Sequence, residues 1–310
     1  RIINMRFPKK YQYKPKLVDE IIVRKFDFDF PDRLNPEWIP NSPVRSYFWN
    51  GISLTMPYLE PYLVKTNHEA LAHIENEDLL KDIRNFNAQE IAHFKCHRKV
   101  NELLKQNGCI YYNKVERKIE SHYKKLSKKK LITRLAYSAG FETMTKGFSI
   151  WMTSKRKGLW KGADKHMTSF WLMHLTEESE HKTVAFDVYM SAFGHYYFPR
   201  VVGVLHGSLG VLSLSLVGLF TALSNEGLLK RLSTWKDLLV LFGEVIWNIG
   251  PFLLHAMLPW HNPRDFPDGK WVTEWLEGYK TLESGQSIPL VDTTHPDIPV
   301  PFSLNEGENK

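Results

Sequence analysis

From about Asn76 to Asn107 the apolar positions recur every three or four residues, through Leu79, Ile83, Phe86 and Val100, which predicts one long helix. Gly108 follows as its C-terminal stop. Glu90, His93 and His97 fall on the same stripe, where the buried face should lie. A carboxylate and imidazoles in a core are costly unless they pair or hold a metal ion. The pattern returns between about Ala163 and Ser191, where Phe170, His174, Glu178, His181, Ala185 and Val188 share one face. Glu177 and Glu180 point elsewhere on that wheel. Leu131 to about Lys157 reads as a further helix stopped by Gly158, and Glu142 is the only acid in that run, on a face with Leu135, Ser138, Thr145 and Ser149. Ser42-Pro43 opens another, Ser at the cap and Pro at the first helical position, carrying Tyr47, Trp49, Leu54 and Glu60. Pro57 and Pro61 lack amide donors and should kink or end that helix beside Glu60.

The flanks read differently. Residues 1–41 mix basic, aromatic and proline residues, and Phe26-Asp27-Phe28-Asp29-Phe30 alternates at period two, as a short strand or extended wrapping arm does. Val201 to Ser224 carries no charged residue and is long enough to cross a bilayer core. Leu238 to Trp260 is nearly as apolar, but Glu244, Asn248, Pro251 and His255 step along one face that suits a bundle interior or wet cleft. A short amphipathic helix is expected around Trp271–Tyr279, then an extended strap enforced by Pro289, Pro296, Pro299 and Pro301. The expected division is an arm (1–41), a helical bundle (42–195), an apolar helical hairpin with a short helix (196–282) and a tail (283–310).

Composition adds three constraints. The 18 Phe, 13 Tyr and 10 Trp exclude a disordered chain. Two cysteines, Cys96 and Cys109, form neither a disulfide framework nor a zinc ribbon, which favours a reducing compartment. The net charge of +7 draws much of its excess from 114–134, including Lys124, Lys125, Lys128, Lys129 and Lys130. That run is a solvated surface or an attraction to anionic lipid, and no nucleic-acid motif accompanies it. The N-terminus shows no apolar export signal, so the expected location is the cytoplasm, associated with the inner face of the cytoplasmic membrane.

In order, the polar residues on apolar stripes are Glu60, Glu90 with His93, Glu142, and Glu178 with His181. A helix bearing Glu followed by a helix bearing Glu-x-x-His, done twice, is the ligand pattern of a ferritin-like dinuclear bundle. The expected fold is therefore all-α, with a four-helix bundle around two metal ions and an apolar C-terminal hairpin. Carboxylate and imidazole donors suit two irons, with manganese or zinc as alternatives.

Several segments also resemble a known family. Pro57-Tyr58-Leu59-Glu60-Pro61, Gln89-Glu90-Ile91-Ala92-His93 with His97-Arg98, Phe141-Glu142 and Glu177-Glu178-Ser179-Glu180-His181-Lys182-Thr183-Val184-Ala185-Phe186-Asp187-Val188-Tyr189 look like the bacterial predicted metal-dependent hydrolases. The resemblance spans roughly residues 40–285 and implies a metal-bound helical protein. His97 and His174 depart from a plain six-ligand pattern, each as an additional ligand, an outer partner, a proton carrier or a hydrogen-bonded core histidine.

The ligand pattern leads to an expected oxidoreductase. Two irons bridged by Glu90 and Glu178, the residues expected to be catalytic, would activate O2 to hydroxylate, desaturate or N-oxygenate a small apolar or aromatic substrate, with an electron donor. The alternatives are a dinuclear hydrolase and a non-enzymatic iron-handling or membrane-associated binding protein. Expected partners also include an anionic membrane surface and a second copy in a homodimer, but no nucleic acid.

Overall fold

The computed structural model describes Tyr11, residues 21–283 and residues 286–302. The outer part of the expected arm and the last polar residues of the tail lie outside the described residues. The described residues form eight α-helices and no strand. They are α1 (Pro43–Ala70), α2 (Glu77–Gln106), α3 (Tyr112–Leu126), α4 (Leu131–Leu159), α5 (Lys165–Phe193), α6 (Tyr197–Asn225), α7 (Leu232–Ala256) and α8 (Lys270–Tyr279).

Helix starts follow local chemistry. The Asn76 side chain accepts the Leu79 amide, and Asp164 accepts those of His166 and Met167, satisfying amides that a first turn leaves free. Pro43 begins α1, although Ser42 makes no side-chain cap. Two expectations fail nearby. Helix α4 runs through Gly158 to Leu159, and α1 is unbroken across Pro57 and Pro61. Pro57 cannot donate to the Ser53 carbonyl, but the Asn101 side-chain amide of α2 does so at 3.0 Å. A neighbouring helix thus re-satisfies the group that proline orphans. Glu60 stays on a helix and is fully enclosed.

Helices α1, α2, α4 and α5 form the bundle, and within it α1 packs mainly on α2 and α4 on α5. Residues 21–41 lie across it in extended form. Phe26 and Phe28 are buried and Asp27 and Asp29 exposed, so the period-two reading holds for burial, yet there is no ladder partner to make a strand. The arm is held by side chains instead. Asn85 and Gln89 donate to the carbonyls of Ile21 and Ile22, and Lys99 to that of Phe28. On another side the tail runs extended, with the Gly162 amide donating to the Thr293 carbonyl and Arg156 to that of Ile298.

A second layer covers α1 and α4. Helix α6 packs on both, α7 mainly on α4, and α3 on α1 and α6. Contact between α4 and α6 is so close that a Cβ at Gly203 would stand 2.2 Å from the Ala136 carbonyl oxygen, and one at Gly207 2.3 Å from that of Tyr137. Small residues let two helix backbones approach in this way.

Gly203→Ala should therefore destabilise the protein by about 2–3 kcal/mol, since the backbone it meets cannot rotate away. Gly243→Ala in α7, whose Cβ would meet nothing within 4 Å, should stabilise by roughly 0.5–1 kcal/mol. Urea midpoints of both variants against the parent check the pair.

Candidate metal centre

The six residues expected from the sequence converge inside the bundle. Glu60 comes from α1, Glu90 and His93 from α2, Glu142 from α4, and Glu178 and His181 from α5; none is more than 2% exposed. His97 and His174 join them, also buried. Ligand-capable atoms lie within 4.8 Å of one another in four overlapping groups. These are Glu90, Glu142, Glu178 and His181; Glu60, Glu90 and His93; His93, His174 and Glu178; and Glu60, His97 and His174. Glu90 and Glu178 join groups that are otherwise separate.

Hydrogen bonds outside the cluster fix which imidazole nitrogens face it. His181 Nε2 stands 2.7 Å from Gln89 Oε1, and the Gln89 amide nitrogen donates to Ile22 and Glu180, so the oxygen must accept from His181. His181 Nδ1 is then bare, 3.1 Å from Glu90 Oε1 and 3.5 Å from Glu178 Oε1. His93 Nε2 meets Glu177 Oε2 at 2.6 Å, and with Glu177 ionised its Nδ1 is bare too.

The third imidazole follows from a longer chain. Asn101 donates its amide to the Ser53 carbonyl, so its oxygen accepts the Ser53 hydroxyl proton at 2.7 Å. The Ser53 oxygen therefore accepts from His97 Nδ1 at 2.8 Å. Neutral His97 then accepts from His174 Nδ1 at 2.8 Å. His174 Nε2 is left as a lone pair facing Glu178 Oε1 at 2.9 Å and Glu60 Oε1 at 3.7 Å. Acceptors pointed at acceptors repel unless a cation lies among them. Both oxygens of Glu60 and of Glu90, Glu142 Oε1, Glu178 Oε2 and the Nδ1 atoms of His93 and His181 make no hydrogen bond, although all are buried. That donor set fits metal ions.

The electrostatics agree. Burial, then repulsion from Glu90 and Glu178, pushes the Glu60 carboxyl well above its usual range. Burial and Glu178 do the same to Glu142 and raise Glu90. Burial would raise Glu178 as well, but His181 and His174 outweigh it and hold that carboxyl well below. Burial pushes His181 down, yet Glu178 and Glu90 dominate and keep it well above the ordinary value. Burial lowers His93 to about 3 and also lowers His97 and His174, which favours their neutral forms. With protons as the only cations, Glu60, Glu90, Glu142 and His181 take them up, while Glu178 stays ionised. A divalent ion removes that need.

An outer network orients these side chains, and the sequence reading missed it. Glu177 and Glu180 do point away from the cluster, but toward Arg24 of the arm, which donates to Glu177 at 3.1 Å and to both Glu180 oxygens at 2.8 and 3.0 Å. Arg24 is 5% exposed and lies over the rings of Trp275 and Tyr279 in α8. Burial pushes the Glu177 carboxyl up to about 7, against the pull of Arg24. The available signal was the Arg24-Lys25 pair just before the alternating aromatic run, of which Arg24 is the buried member. Phe26 closes the site, its ring 4.5 Å from that of His93.

Comparison with known proteins gives one match: the family model of predicted metal-dependent hydrolases covers residues 22–266. The chain belongs to that family. No curated protein and no solved structure matches it. As a predicted metal-dependent hydrolase the protein is placed among metal-requiring enzymes. The match corrects the expectation of an O2-activating oxidoreductase, because the family is described by hydrolysis, which calls for neither O2 nor an electron donor. The ligand pattern had been read as though it selected the chemistry, and one bundle hosts many reactions.

Glu178→Ala should abolish tight metal binding, whereas Glu177→Gln should retain it with roughly 10–100-fold weaker affinity, as loss of an outer partner does. Elemental analysis and chelator competition measure both.

Proposed function

We propose that the protein is a dinuclear metal-dependent hydrolase that cleaves an ester, amide or phosphoester in a substrate with an apolar portion. The observation that carries this reading is the set of three imidazole nitrogens turned toward four buried carboxylates, in a chain belonging to the predicted metal-dependent hydrolases. Glu60, Glu90, His93, His174 and Glu178 would hold one ion, and Glu90, Glu142, Glu178 and His181 the other. Glu90 and Glu178 belong to both sets and would serve either ion. His97 acts as a positioning residue, since both its nitrogens are committed to Ser53 and His174. Bound there, manganese, iron or zinc would polarise the scissile group and lower the pKa of water.

The chain also supplies the substrate's environment. A narrow slot between α1, α4, α5 and α6 is lined by Trp49, Met56, Phe148, Trp171 and Leu212, with His174 and Glu178 at its polar end. Glu178 is therefore where the ligand set meets the slot. Its position would orient the reacting group, while the aromatic walls, which enclose about 30 Å³, would exclude water and would have to part to take the apolar portion. Trp171 lies parallel to His174 with ring centroids 5.9 Å apart, helping to hold that imidazole in plane.

Metal-loaded protein should hydrolyse p-nitrophenyl acyl esters under anaerobic conditions without reductant, more efficiently as the acyl chain lengthens. Glu142→Ala should lower kcat/KM on the order of 100-fold or more. Turnover that demands O2 and a reductant overturns the reading.

A further inference from the structure

Among the described residues, nothing covers the outer faces of α6 and α7. Val202, Leu205 and Leu209 of α6 and Ile246 and Leu254 of α7 are exposed, and Leu239 and Trp247 are 74% and 82% exposed. Trp235 and Trp260 stand out to solvent on the same layer. Single exposed apolar residues need no explanation, but a continuous face on two adjacent helices does. By length and composition alone, both helices could cross a membrane.

The charge around this face says how a bilayer would meet it. Basic α3 runs beside α6: Lys114 and Lys118 border a groove with Val217, Thr221 and Asn225, and the Lys129 charge reaches His206. From His206 to Thr221 is about 22 Å at the rise of a helix, most of a bilayer core of about 30 Å. A spanning α6 would hold these lysines within the hydrocarbon thickness, near its two edges. An α6 lying in the surface plane would place the same lysines beside lipid headgroups along its whole length. Lys230, Arg231 and Lys236 extend the basic rim around the helix connection, with Glu226 and Asp237 as opposing acids. Glu244 of α7 is tied to Arg45 of α1 at 2.7 Å rather than lining a cleft. Tryptophans at the edge of such a face suit the headgroup boundary.

We propose that the α6–α7 face, rimmed by α3, docks on an anionic bilayer with both helices in the plane of the membrane. A second copy of the chain fits less well, because a two-fold pairing through this face would bring one basic rim against another. Docking and hydrolysis are separate claims, as the face lies on the far side of α6 from the metal cluster.

Flotation of the full chain with vesicles tests it. The protein should float with phosphatidylcholine–phosphatidylglycerol vesicles at least about tenfold more than with phosphatidylcholine alone, and less so as salt rises. Lys114→Gln, Lys118→Gln and Lys129→Gln should each reduce partitioning about fivefold. Leu239→Glu with Trp247→Glu should abolish it, while metal content and circular dichroism stay at the parent values. Failure to float with either vesicle, or equal flotation with both, overturns the proposal. So does a dimer that Trp247→Glu splits in protein that never floats.

Discussion

Four carboxylates share the centre of this bundle, and none can be ionised there without positive charge close by. That requirement organises much of what surrounds them. The side chains that neutralise or orient the cluster come from α1, α2, α4, α5 and the arm, so meeting it pins five segments to one point. The aromatic core then packs around a geometry already set by charge. Arg24 supplies a fixed cation on the outside, and the inner oxygens are left for ions.

Specificity at the inner shell depends on groups that never touch it. Gln89, Glu177 and His97 each take one side of an imidazole and thereby decide which nitrogen points inward. Asn101 serves twice, accepting the Ser53 hydroxyl proton and donating to the carbonyl that Pro57 leaves free. A proline that looks like a defect in α1 is thus part of the lock between α1 and α2. The same residue pair orders the proton pattern that ends at His174.

Much of this was legible because helical spacing and ligand spacing coincide. Steps of three and four put Glu90 over His93 and Glu178 over His181, and the bundle delivered both pairs to one place. The alternation in 26–30 correctly separated buried Phe from exposed Asp. Other features depend on contacts that a sequence does not display. A helical wheel shows that Glu177 and Glu180 face away from the cluster, but not that Arg24 waits there from another segment. The prolines of α1 were read by their local cost, without the distant amide that offsets it. The chemistry was misjudged for a different reason, since carboxylates and imidazoles serve oxidation and hydrolysis alike.

The arm over the site has one further property. Over residues 21–30 it hangs on side-chain bonds from Asn85, Gln89 and Lys99 and on the Arg24 clasp, with no backbone ladder among the described residues. Lifting such a cover breaks a handful of bonds and unwinds no helix. Exchange of ions with solvent would then keep the clock of the arm, while the bundle beneath keeps the slower clock of global unfolding.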